Sequence, residues 1–192
     1  FEASHDVPNG ERIWDYLPYG PFASLEDFSD WLDDCARSDD PLFFAIRDLK
    51  SGKALGMASY LRIVPEHAVI EIGHIWFAPA LQKTPTATDA IFLMLRHALS
   101  DLGYRRMEWK CDALNTGSRR AATRFGFSFE SIFYQAVDVK GLNRDTAWFS
   151  ILDYEWPEIR ENFEHWLAPE NFGASGRQRS SLREMNWAST HN

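Results

Sequence analysis

The chain has 192 residues, 45% of them hydrophobic and 15% aromatic, and a formal net charge of -8. That length suits one domain around one core, and the acidic balance argues against a nucleic-acid binder, which carries a basic stripe to displace phosphate counterions. No apolar run reaches the roughly 20 residues of a membrane helix, no secretory signal is visible, and two cysteines, Cys35 and Cys111, make no disulfide framework. A cytoplasmic protein with reduced thiols is therefore expected, one with neither nucleic acid nor membrane as partner. The sequence opens at Phe1 rather than Met, which suggests a segment upstream.

In chain order, residues 25–37 read as a helix: Leu25, Phe28, Trp31, Leu32 and Cys35 recur near the 3.6 period, and Ser24 can cap it. Residues 42–48 read as a strand, and a Ser-Gly turn returns 54–64 as its hairpin partner. A further turn at Pro65–His67 leads to a third strand, 68–77. A loop, 78–87, opens a helix over 88–102, whose stripe of Ile91, Met94, Leu95, Ala98, Leu99 and Leu102 ends at Gly103. Residues 105–111 alternate as a strand, with Met107, Trp109 and Cys111 on one face.

A short helix is predicted from about Ser118 to Phe125. Strands over 127–139 and 146–152 follow, joined at Lys140–Asp145, and then a helix over 158–167. From Ala168 the composition turns to Gly, Ser and Pro, so 1–167 reads as the domain and 168–192 as a polar tail, draped on the surface or without fixed structure. A helix between strands 68–77 and 105–111 is a crossover that makes them parallel in an otherwise antiparallel sheet. The fold class is mixed α/β.

Two stretches carry chemistry. The first runs from Glu71 and His74 through Gln82, Lys83, Thr84, Pro85, Thr86 and Ala87 to Thr88: a strand, a polar loop and a helix start. Helix-start amides lack internal partners and lie at the positive dipole end, so such a loop can hold a phosphate, with Lys83 adding charge and Thr86 and Thr88 adding hydroxyls. The alternative is an ordinary turn capped by Thr86 or Thr88. The second runs from Asn115 through Ser118, Thr123 and Gly126 to Phe127. Taken alone, Ser118 reads as an N-cap and Gly126 as the residue that ends the helix.

Taken together, the two stretches resemble the GNAT superfamily of N-acetyltransferases. Gln82 and Ala87 match its Q/R-x-x-G-x-G/A loop, with Pro85 where the first glycine is preferred. Asn115, Ser118, Gly126 and Phe127 match its N-x-x-S-x-x-x-x-E/R-x-x-G-F segment. The resemblance spans roughly residues 42–152, and the strands GHIWF and NRDTAWFSI are similar to those of the branch that acetylates ribosomal-protein N-termini. It implies a largely antiparallel twisted sheet splayed between strands 68–77 and 105–111. It also implies acetyl-CoA as co-substrate and a primary amine, a protein N-terminus or a small amine, as acceptor.

By the same resemblance, the cofactor-binding residues are Ile75 and Phe77 for the pantetheine amides, Gln82, Lys83, Thr84, Thr86, Ala87 and Thr88 for the pyrophosphate, and Asn115 for the pantetheine arm. Ser118 lies near the thiol. Because proline has no N–H, Lys83 or a threonine hydroxyl is expected to compensate at Pro85.

An amine must be neutral to attack, so a base is needed. Glu71 stands among Val69, Ile70, Ile72 and Ile75, where burial would raise its pKa. It also lies eleven residues before Gln82, the spacing of the base glutamate in histone-type members. The alternative is that Glu71 pairs with Arg62 on the adjacent strand. His74 is the second candidate base, provided that a bulge at Gly73 turns it to the same face. The carboxylate used by the ribosomal-protein branch has Val137 at its position. The six histidines, His5, His67, His74, His97, His165 and His191, show no metal-ligand spacing, so no metal is expected. A non-catalytic acyl-CoA-binding module and a CoA-independent interaction protein are the rival readings.

Overall fold

The computed structural model describes residues 1, 2, 8 and 10–190. Six strands, β1 (Leu42–Arg47), β2 (Ala54–Val64), β3 (Val69–Phe77), β4 (Arg106–Asp112), β5 (Ser128–Val139) and β6 (Leu142–Leu152), form one sheet in the order β1-β2-β3-β4-β6-β5. Every neighbouring pair is antiparallel except β3 with β4. Helix α1 (Leu25–Arg37) precedes the sheet. Helix α2 (Pro85–Arg96), prolonged by one π turn over His97–Asp101, makes the crossover. Helices α3 (Thr116–Arg124), α4 (Trp156–Leu167) and α5 (Leu182–Thr190) complete the chain.

Apolar alternation divides the sheet between two cores. Ile70, Ile72, Met107, Phe149 and Ile151 share the larger core with Ile91 and Leu95 of α2 and Phe163 of α4. The opposite face carries a mostly aromatic cluster in which Trp14, Phe28, Met57 and Trp76 are buried. Ser24 Oγ accepts from Asp27 N at 3.0 Å and caps α1 as expected. The last hairpin is tighter than the sequence suggested. Lys140 and Gly141 both take positive φ, 54° and 76°, as two-residue hairpin turns require, so β6 begins at Leu142 rather than 146.

The stretch from Ala168, expected as a polar tail, is packed over its described length. It forms a short 3-10 turn over Pro169–Asn171 and then α5, whose Leu182 is fully buried. Buried asparagines bind it down. Asn171 Nδ2 donates to Trp166 O, its Oδ1 accepts from Ser180 N, and Asn186 Nδ2 donates to Arg124 O. Composition reports the shortage of apolar side chains, but side-chain amides that replace backbone partners anchor a segment without them. No helix among the described residues is long and apolar enough to cross a membrane.

Candidate active site

β3 and β4 pair only over Val69–Glu71 and Arg106–Glu108. Beyond that point β3 stays with β2 as far as Gly56–Phe77, and β4 stays with β6 as far as Asp112–Thr146. The strands therefore part, and the edge of β3 from Ile72 to Phe77 faces a wedge instead of a neighbour. A cleft of about 1700 Å³ runs through this wedge from the start of α2 to the opposite face of the sheet.

A bulge sets the chemistry of the cleft. The register moves from Ser59–Gly73 to Met57–Trp76, so β3 carries one extra residue, and His74 takes φ 50°. The bulge reverses the alternation. Ile70 and Ile72 face the large core before it; Ile75 and Phe77 do so after it, while Trp76 joins the aromatic cluster. His74 lies on the aromatic side, with Nδ1 3.0 Å from Tyr19 Oη, its ring stacked on Tyr19 and edge-on to Phe43. Burial, and then the charge of Arg144, hold its pKa below the ordinary histidine value.

At one end of the cleft, α2 begins. Its cap is Thr84, neither Thr86 nor Thr88. Thr84 Oγ1 accepts from Ala87 N at 3.2 Å, and the hydroxyl donates to Leu81 O at 2.6 Å. Pro85 then occupies the first helical position, where its missing N–H costs nothing. The Thr88 hydroxyl is also engaged, accepting from Arg124 at 3.1 Å and donating to Thr84 O. The amides of Lys83 and Thr86 have no partner among the described residues. The Thr86 side chain is exposed and does not line the cleft; the other eleven site residues predicted from sequence do.

Sequence reasoning missed Arg124 at this end. It has no carboxylate partner among the described residues, stacks on Phe125 and Trp166, and lines the cleft beside Thr88. Burial lowers its pKa. Gln82 Nε2 donates to Phe77 O at 2.9 Å, which closes the end of β3 onto the loop.

At the wedge itself, the cap of α3 is Asn115, which frees Ser118 from the capping role. Asn115 Oδ1 accepts from Ser118 N at 2.9 Å, and Ser118 sits at the third helical position. Ser118 Oγ accepts from Trp109 Nε1 at 2.9 Å. Trp109 is thus a core residue that aims this hydroxyl, and the hydroxyl keeps its own proton to donate.

The other side of the wedge carries a chain of alternating charges. Glu71 and Glu108 stand side by side in the parallel register, and the Lys110 ammonium lies between them, 2.9 Å from Glu71 and 2.7 Å from Glu108. Arg62 is 3.5 Å from Glu71, the pairing weighed as the structural alternative. Arg106 joins Glu108 to Glu130 at 2.7 Å each. Burial pushes the Glu71 carboxyl up, against the pull of Lys110 and Arg62. Burial would raise Glu108 too, but hydrogen bonds from Lys110 and Arg106 hold it below the ordinary range. Glu71 lines the cleft while only 5% exposed, so its electrostatics are those of a buried carboxylate at a cleft wall.

Val137 lies on the cleft wall without a carboxylate, and the neighbouring Asp138 accepts from Gly141 N at 3.0 Å. Among the described residues no group of His, Cys, Asp or Glu is placed to hold a metal. His5 and His191 lie outside those residues. Both cysteines are free and buried.

A sheet that splays after three register pairs, with a helix start at one end of the gap and a buried carboxylate on its wall, defines an acyltransferase of the GNAT type. The sequence profile of the acetyltransferase (GNAT) domain matches residues 2–128. A GCN5-related N-acetyltransferase from Brucella melitensis is 49% identical, aligning 96% of this chain with 83% of its own at a TM-score of 0.93. A GNAT-family protein from Chromobacterium violaceum ATCC 12472 is 46% identical over 77% of this chain and 74% of its own, with a TM-score of 0.72. The fold alone is shared with spermidine N-acetyltransferase from Vibrio cholerae, solved with CoA and spermine: identity 19%, 78% of this chain, 88% of that one, TM-score 0.61. None of the curated proteins matches. The chain belongs to the GNAT acetyltransferase family, whose members use acetyl-CoA.

Proposed function

We propose that the protein transfers acetyl from acetyl-CoA directly to a primary amine, either a protein N-terminus or a small amine, with Glu71 as base and Ser118 beside the leaving sulfur. The observation that carries this reading is the wedge: an unpaired β3 edge between a helix-start anion site and a buried carboxylate. The Lys83 amide and ammonium and the Arg124 guanidinium would hold the pyrophosphate. They stand in for the donor that Pro85 lacks. The free edge at Ile75 would meet the pantetheine amides, as would Phe77, whose carbonyl is already held by Gln82.

Acetyl-CoA supplies an activated carbonyl. Glu71 takes one proton from the acceptor ammonium, the neutral nitrogen forms the new C–N bond, and the C–S bond breaks. The Ser118 hydroxyl hydrogen-bonds the departing sulfur, which leaves as thiol with a proton shed by the nitrogen. His74, neutral and on the same face, is the second candidate base. The strand sequences GHIWF and NRDTAWFSI support kinship with the ribosomal-protein branch, but the catalytic carboxylate of that branch has no counterpart here, since Asp138 caps its own hairpin.

Acetyl-CoA is expected to raise the melting temperature, as any ligand of the native state does. Glu71→Gln is expected to keep that shift and to lower kcat/KM at neutral pH by roughly 10²–10⁴-fold. Because the wild-type base works only when deprotonated, the wild-type rate rises with pH through the raised Glu71 value, and the variant loses that inflection. An unchanged rate and pH profile would make Glu71 structural.

A further inference from the structure

The far side of the cleft is built by one face of β6. Arg144, Thr146 and Trp148 alternate on that face, while Ala147, Phe149 and Ile151 turn to the core. All three line the cleft, and each has a buried donor with no hydrogen-bond partner among the described residues: Arg144 Nε, Thr146 Oγ1 and Trp148 Nε1. Buried polar atoms are nearly always satisfied. Three such side chains along a single strip make it a polar strip of the cleft wall.

Arg144 is the charged member of the strip. The other cations of this face are matched: Arg62 and Lys110 by Glu71, Arg106 by Glu108 and Glu130. Arg144 has no carboxylate partner among the described residues. The adjacent acids are committed elsewhere. Asp145, next in the strand and so turned to the opposite face, accepts from Gln135 N and Asn143 Nδ2, and Asp138 accepts from Gly141 N.

The strand opposite is bulged beside Arg144. The β5–β6 register steps from Phe133–Thr146 to Val137–Arg144, four residues against two, with Gln135 at φ 50°. The bulged residues of β5 lie opposite Asp145, between the pairs made by Thr146 and Arg144, and Tyr134 and Ala136 of the bulge line the cleft with Arg144. The guanidinium also lies close enough to His74 and Cys111 to bear on their protonation, which places it at the wedge rather than outside it.

We infer that the acceptor is an amine that carries a carboxylate, an α-amino acid or a close relative, bound with its carboxylate on Arg144 and its amine toward Glu71. The inference rests on the transferase reading above. A guanidinium matches a carboxylate two bonds at a time, and Thr146 and Trp148 offer further donors to the same group. A polyamine would bring positive charge against Arg144. A peptide N-terminus would bring a neutral amide where the carboxylate belongs.

The test is thiol release from acetyl-CoA with the common α-amino acids, their carboxamides, the corresponding decarboxylated amines, N-terminal dipeptides and spermidine. At least one free amino acid is expected to exceed its carboxamide in kcat/KM by on the order of 10²-fold or more, as sites built to bind a polar group reject analogues that lack it. Arg144→Gln is expected to raise KM for that amino acid and abolish the preference over the carboxamide, with acetyl-CoA affinity unchanged; Arg144→Lys should retain part of the preference. If acetyl-CoA binds but acids are used no better than carboxamides, or spermidine or dipeptides are used better, or the preference survives Arg144→Gln, the inference is overturned and the transferase reading stands. If acetyl-CoA neither binds nor is turned over, the transferase reading itself fails.

Discussion

Glu71 is a buried carboxylate held between the Lys110 ammonium and the Arg62 guanidinium. A carboxylate amid four aliphatic neighbours announces a special environment, and its pairing with Arg62 was legible from strand adjacency. The ammonium of Lys110 was not foreseen, although the signal existed: a parallel β3–β4 pair brings Glu71 beside Glu108, and two buried carboxylates require a cation, which same-face spacing supplies two residues on. His74 carries a prediction of its own. Its pKa lies below the ordinary 6.5, from burial and then from Arg144. The unfolded chain therefore binds more protons than the folded one. The stabilisation from neutral His74 is present above pH 6.5 and is lost as pH falls through the folded value. Asn tolerates the left-handed backbone at this position, so His74→Asn is the variant of choice. The gap in unfolding free energy between wild type and variant is expected to narrow from pH 7 to pH 5. A gap that stays constant across that range would mean that His74 titrates alike in both states.

Among the elements, strand and helix types followed from periodicity, and the errors concern ends. Thr84 rather than Thr86 or Thr88 caps α2, and Asn115 rather than Ser118 caps α3. Each true cap lies two to four residues upstream of the residue read from sequence, because the apolar period starts only after the first turn, which is polar. Pro85, which the motif suggests as a defect, is a favourable first residue of α2. The segment after Ala168 was misjudged for a different reason: its anchors are Asn171, Asn186 and one leucine. Phe172, Gly176 and Gln178 also line the cleft near Arg124. Deleting residues 169–192 is therefore expected to lower the melting temperature, since burial of Leu182 alone is worth about 1.5–3 kcal/mol, and to weaken acetyl-CoA binding. A truncated protein with wild-type melting and affinity would show that this segment supports neither.

For the molecule as a whole, the sequence of elements and the single crossover were readable, and the resemblance to the GNAT superfamily added the place where the sheet opens. The bulge at His74 was not readable in detail, since Gly73-His74-Ile75 gives no local sign of which residue takes positive φ; nor was the bulge of β5 between Phe133 and Val137. These features decide what the cleft presents, and both are backbone events that side-chain periodicity does not encode. The three-pair contact between β3 and β4 has a consequence for solvent. The two halves of the sheet are joined by a short ladder, and the amides along Ile72–Phe77 that would have bonded a neighbouring strand face the wedge instead. Those amides are expected to exchange with deuterium quickly in the free protein and to slow markedly when acetyl-CoA fills the gap, while Val69–Glu71 and the amides of β6 paired to β4 stay protected in both states. The protection map would trace the outline of the missing strand.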